Sequence, residues 1–372
     1  EALDRMQNLI TTMIHAYNKE GKSYEEQFID ARDELFSMIE KGYPFPDSLT
    51  DEESRVMGNS MINTLIKEQE NNPQQVRTAI KTIGKLKSKK AVPYLIELVN
   101  EQEFKIETIK TLGEIGTQQA LELLSSELEK VTDKAVKKEI IQSLGKIGGE
   151  AGRERVVALF PQSEEKAIPD DIELPALEAL LSLARDGNTS SRIYSIFERY
   201  LGAEDPDIKI IAVKGLSFFP GSRSGDLLVS VLKKKKNEEV LIQAVRSLNK
   251  TGHSAVIPTF INMLRDQNVS ETVKAEIVSA LGQNSDGVKA VQYILEYLGS
   301  ENRDLRRAVS DALISLYEVD PKTISGYLSR GLRSSEDELY LTEGTAVMAR
   351  IADESSLSTM RSEERRVGKE CA

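Results

Sequence analysis

Apolar residues recur along most of this chain at helical spacing, in pairs of short stripes separated by turns. The first clear pair reads Pro73-Gln-Gln-Val76-Arg-Thr-Ala79-Ile80-Lys-Thr-Ile83-Gly84-Lys-Leu86, then Lys89-Lys-Ala91-Val92-Pro93-Tyr94-Leu95-Ile96-Glu97-Leu98-Val99. Val76, Ala79, Ile80 and Ile83 fall on one face of a helix, which predicts a first helix (A) with one buried stripe. Pro73 suits the first helical turn, where a missing N–H costs little. A short turn and a second helix (B) follow. The same phrase returns about every 32 residues, marked by a small or turn-forming residue near the end of helix A. Those marks are Gly84, Gly113, Gly145, Ala184, Ser217, Asn249, Gly282, Ile314 and Ala349. A period of this length is the signature of stacked supersecondary units. The expected fold is therefore all-α, an α-solenoid (a right-handed superhelix) of about nine two-helix repeats.

The recurring glycines read as positions of close helix packing or relaxed helix ends rather than ligand sites. Residues 1–72 do not fit the repeat. They predict two or three longer amphipathic helices with a break at Gly42-Tyr-Pro-Phe-Pro46, an N-terminal helical cap on the first repeat. Repeats then run over 73–160 and 173–360. Between them, 161–172 is an inter-repeat loop, because Pro161, Ser163, Pro169 and a run of charges break the helical pattern.

Composition narrows the class. The 372 residues are 40% hydrophobic and 29% charged, a globular balance, and an array escapes the size limit of a single core. No apolar run reaches the length of a membrane span, so a soluble protein is expected. Its compartment stays open: cytoplasmic by default, periplasmic or exported if a leader preceded Glu1. The last residues, from Arg361 to Cys371, break the repeat pattern and resemble a translated sequencing adapter, so 361–372 reads as a non-native tail and the array as a fragment. The tail holds the chain's only cysteine, which leaves no disulfide or thiolate chemistry elsewhere. It also carries four basic and three acidic residues, so the rest is one charge more acidic than the overall −11.

The phrases Thr111-Leu-Gly-Glu-Ile-Gly116 and Ser143-Leu-Gly-Lys-Ile-Gly148, with the echoing B helices Ala91–Val99 and Ala290–Leu298, resemble short bacterial HEAT-like repeats of the kind also found in some bilin lyases. The resemblance covers roughly residues 73–360 and implies a fold, not an activity. Deoxyhypusine hydroxylases of similar fold rely on repeated His-Glu pairs, and the chain has only His15 and His253. Alkylpurine DNA glycosylases of similar fold use Trp and a basic face; this chain has no Trp and is acidic. No metal-ligand spacing, nucleophile–base set or cofactor motif occurs. Pro220–Asp226 lacks the spacing of a phosphate loop and reads as a turn. The run Lys233–Lys236 reads as a solvated helix end that favours the dipole's negative pole. No catalytic residue, cofactor or metal is expected.

What remains is the outward ridge of the B helices, at positions matching Tyr94 and Glu97, three apart on one face. Through the repeats these pairs are Tyr94/Glu97, Leu123/Ser126, Arg155/Ala158, Ile196/Arg199, Leu227/Ser230, Thr259/Asn262, Tyr293/Glu296 and Tyr327/Arg330. Tyrosines and aliphatics edged by polar groups suit a protein or peptide partner. A nucleic-acid groove would want aligned cations with stacking aromatics. The expectation is a non-catalytic scaffold that binds a protein or peptide along a concave B-helix face. The partner-binding residues would be Tyr94, Glu97, Arg155, Arg199, Asn262, Tyr293, Glu296, Tyr327 and Arg330. The alternative is a HEAT-like lyase acting on a tetrapyrrole or other protein-bound group.

Overall fold

Most helices in this chain start on a side chain that caps its own backbone. Asn72, Thr117, Asp133, Asn237 and Asp320 accept from the amides of Gln75, Ala120, Val136, Val240 and Thr323 at 2.9–3.2 Å. Each such bond satisfies one of the amides a helix start leaves without an internal partner. Pro73, Pro206 and Pro321 follow their caps in the first turn. Several A helices end three residues after the recurring small position with a left-handed residue: Lys87 (φ 48°), Gly116 (68°) and Gly148 (63°). The reversal there turns the chain from helix A into helix B.

The computed structural model describes residues 2–43, 45–46, 49–67, 72–161, 168–234 and 237–351. The expected tail at 361–372 and residues 162–167 of the expected 161–172 loop lie outside them; that loop is shorter than expected at its far end, because a helix already begins at Asp170. The described residues form helices and turns without a strand. Contacts divide the chain into two bodies between Asn188 and Thr189.

The N-terminal body begins with α1 (Ala2–Tyr17), α2 (Lys22–Glu40) and α3 (Asp51–Lys67). A/B pairs follow: α4 (Pro73–Leu86) with α5 (Val92–Leu98), α6 (Lys105–Ile115) with α7 (Gln118–Lys130), and α8 (Lys134–Ile147) with α9 (Gly149–Ala158). Helix α10 (Asp170–Arg185) closes it. Met6, Ile10, Leu35, Met57 and Met61 of the first three helices share one apolar cluster with Ile80, Ile83 and Leu95, so the cap and the first repeat have a common core.

The C-terminal body opens with α11 (Ser191–Tyr200) and continues as α12 (Pro206–Leu216) with α13 (Ser222–Lys234), and α14 (Glu238–Lys250) with α15 (Val256–Leu264). Next come α16 (Glu271–Gly282) with α17 (Val291–Leu295), and α18 (Arg303–Val319) with α19 (Pro321–Ser334). Helix α20 (Glu338–Ile351) is the last described element.

The small positions have a structural role in both bodies. A Cβ on Gly113 would come within 2.8 Å of the Ser143 Cα, and one on Gly282 within 2.7 Å of the Ala312 Cα. Gly84 faces side chains instead, the Glu114 carboxylate and then Thr111 at 3.4 Å. For Gly113 and Gly282 the partner is two residues before the next small position, so these A helices interlock backbone to backbone with the next. Gly145 breaks the register: it meets Ala179, five residues before Ala184, with a Cβ distance of 3.0 Å. By the two-residue rule the equivalent position on this helix, α10, which contains Pro175, is Leu181 and not the expected Ala184.

Successive A helices pack much more extensively than successive B helices.

Candidate functional site: the B-helix row

Helix B exposes the ridge because its core residues sit at the other positions. In α5, Val92, Leu95 and Leu98 are buried while Tyr94 and Glu97 are exposed, Tyr94 by 37%. Glu97 has no ion-pair partner among the described residues. Arg155 and Ala158 are exposed on α9, where Val156 and Val157 turn inward. The middle helix α7 contributes least: Leu123 and Ser126 are half-buried.

In the C-terminal body the ridge is more heterogeneous. Ile196 is 6% exposed and belongs to the core beside Ile193 and Phe197, so it offers nothing to a partner. Arg199 is half-buried, its guanidinium 5.3 Å from the Tyr200 ring centre. Asn262 and Glu296 are exposed, and Glu296 has no carboxylate contact among the described residues. Tyr293 is half-buried with Arg265 of the preceding repeat 6.0 Å from its ring centre, and Tyr327 carries Arg330 at 5.5 Å. Such cation–ring contacts hold the rings' orientation and leave their edges outward.

Sequence reasoning missed two features of this row. Tyr297 donates its hydroxyl to the Leu264 carbonyl, tying α17 to the end of α15, and the Lys274 ammonium lies 5.1 Å from its ring centre. The hydrophobic pattern carried no signal for this tie, because Tyr297 lies just past the helix. The second feature is a cavity of about 190 Å³ between α13 and α15. Leu232 and Met263 supply its apolar wall, Thr259 and Asn262 its polar groups, and Lys233 and Asp266 its opposite charges. It places the predicted pair Thr259/Asn262 in a concavity; the other ridge residues are spread along the row.

The two histidines lie in different bodies. The His253 ring covers Gly225, its Nδ1 accepts from the Ala255 amide at 3.2 Å, and its Nε2 is 3.5 Å from Asp226 Oδ1. His15 packs edge-on to Tyr24 in the other body. Among the described residues no three His, Cys, Asp or Glu side chains converge as a metal site, and no helix is long and apolar enough to cross a membrane.

Residues 193–282 and 225–314 match the family model described as HEAT repeats. The repeats of this stretch are HEAT repeats. No curated protein matches the chain in sequence. Among solved structures the chain is similar to a Kap121p mutant, at 10% identity and a TM-score of 0.53 over 93% of this chain and 46% of that one. Similarity to Kap121p bound to Pho4p is 11% at a TM-score of 0.52, covering 95% and 47%. The chain thus spans about half the length of these solenoids. The CpcE–CpcF complex of phycocyanin lyase from Nostoc aligns at 16% identity over 75% of this chain and 98% of that one, with a TM-score of 0.35. At such identities the likeness is one of fold, an all-α solenoid.

Proposed function

We propose that this HEAT solenoid is a non-catalytic scaffold that binds a protein or peptide partner on its B-helix row. The observation that carries the reading is the cavity at Thr259 and Asn262, where widely spaced B helices leave an apolar wall edged by an amide, a hydroxyl and one charge of each sign. That mixture suits the side chains of a peptide: an apolar anchor is desolvated at the centre and polar groups close the rim. In the same body the unpaired carboxylate of Glu296 adds to this chemistry, and in the N-terminal body exposed Tyr94 and unpaired Glu97 of α5 offer the same kind of surface. Solenoids of similar fold bind proteins, as the Kap121p–Pho4p complex does. A nucleic-acid partner is disfavoured by the net charge of −11 and by a row that mixes both signs.

Selection of displayed random peptides against the immobilised full chain tests this. Asn262→Arg with Thr259→Arg, which fills the cavity, is expected to weaken the selected peptides more than tenfold, about 1.4 kcal/mol or more. Tyr94→Ala with Glu97→Lys is expected to weaken a subset. If every selected peptide binds both variants as it binds the unaltered chain, the B-helix row is not the site.

A further inference from the structure

We propose that the helical cap of the N-terminal body holds a small-molecule site for an aromatic monocarboxylate. A cavity of about 550 Å³ opens among α1, α2 and α3, within the size range of ordinary ligand sites. Its aromatic wall is built by Tyr17, Tyr24 and Phe28, with the Tyr17 and Phe28 rings 6.0 Å apart and tilted by 44°. Tyr17 and Ile29 of this lining are 41% and 45% exposed, so large apolar surface stands open at the mouth. A flat apolar group placed there would be stacked and desolvated.

The charges around the cavity select the rest of the ligand. Arg32 is neutralised by Asp33 at 2.8 Å. Lys19 lies 5.9 Å from the Tyr24 ring centre, and neither it nor Lys67 has a carboxylate partner among the described residues. Glu25 is the one unpaired acid in the lining. Two unpaired ammonium groups against one carboxylate leave a single positive charge, which matches one carboxylate and disfavours a dianion or a cation.

The chain has no tryptophan, so the fluorescence of 1-naphthylacetate can be read against a tyrosine background. Titration of the full chain is expected to give saturable binding at one site. The neutral 1-naphthylacetamide should bind about tenfold more weakly. Lys19→Gln and Lys67→Gln should each weaken the acid about fivefold without changing the amide, because one charge-assisted contact is lost. Tyr24→Ala should weaken both ligands, and Lys110→Gln, exposed on α6, neither. Both lysines are exposed, so the variants fold, which circular dichroism checks. Absence of saturable binding, or an affinity for the acid that ignores both lysine variants, overturns the proposal. Neither result bears on peptide binding at the B-helix row.

Discussion

The A-helix and B-helix rows of the same repeats use their side chains in opposite ways. Along the A rows, small residues bring backbones into contact, and polar groups pair from one repeat to the next. Arg77 meets Glu107 at 2.7 Å, Lys137 meets Asp171 at 2.8 Å, and Arg246 meets Glu276 at 2.6 Å. Along the B rows the helices stand further apart, and several charges have no partner within the chain. Arg223 with Glu198 at 2.8 Å is a pair between B helices. The difference teaches where binding capacity is left at the surface: cross-repeat pairs hold the A row, and the B row keeps Glu97 and Glu296 exposed and unpaired among the described residues.

Glycine substitutions should separate the rows most sharply. Gly113→Val drives a branched side chain into the Ser143 backbone and is expected to destabilise the N-terminal body by about 2–3 kcal/mol, read as a lower urea midpoint. Gly326, on α19, has nothing within 4 Å of a Cβ. Gly326→Ala should instead stabilise by about 0.5–1 kcal/mol, the ordinary helix preference. If the two changes act alike, the rows do not differ in packing as described.

A smaller contrast lies in the charges. Arg246→Gln breaks a cross-repeat pair whose arginine is more than half exposed, so solvent screening limits the loss to about 0.5 kcal/mol. Glu97→Gln and Glu296→Gln should leave the thermal midpoint unchanged, since neither carboxylate is paired. A loss of stability there equal to that of Arg246→Gln would show that the B-row charges also hold the stack.

The smallest effect is a pH dependence. The hydrogen bond from Lys137 holds the Asp171 carboxyl below its ordinary value. A folded-state value below the unfolded one means the contribution is present above about pH 4 and is lost as pH falls through the lowered value. Lys137→Gln removes it, so acid unfolding of the variant, followed by circular dichroism, should begin at higher pH. Coincident acid transitions would show that the pair adds nothing to folding.

Much of the architecture was legible in the residues. Val76, Ala79, Ile80 and Ile83 are all buried as their spacing predicts, and Pro73 occupies the first turn of α4. The break at Gly42–Pro46 falls between α2 and α3. The recurring glycines were read as packing positions, and Gly113 and Gly282 lie against neighbouring backbones. The ridge was less legible. Tyr94, Glu97 and Asn262 are exposed, but Ile196 went into the core, because an aliphatic three residues from a polar one serves equally well as anchor or filler. The cavity at Asn262 and the cap cavity at Tyr24 could not be read at all, since each is formed by helices whose separation no local pattern encodes.

The sequence by itself determined that this chain is a stack of helix pairs, because a 32-residue rhythm of apolar stripes, caps and small residues is a local property repeated. Only the tertiary structure decided which row is tight and which is open. That depends on how closely neighbouring backbones approach and on which charges find partners across a repeat. Those distances are set jointly by residues about thirty positions apart, and no single segment contains them.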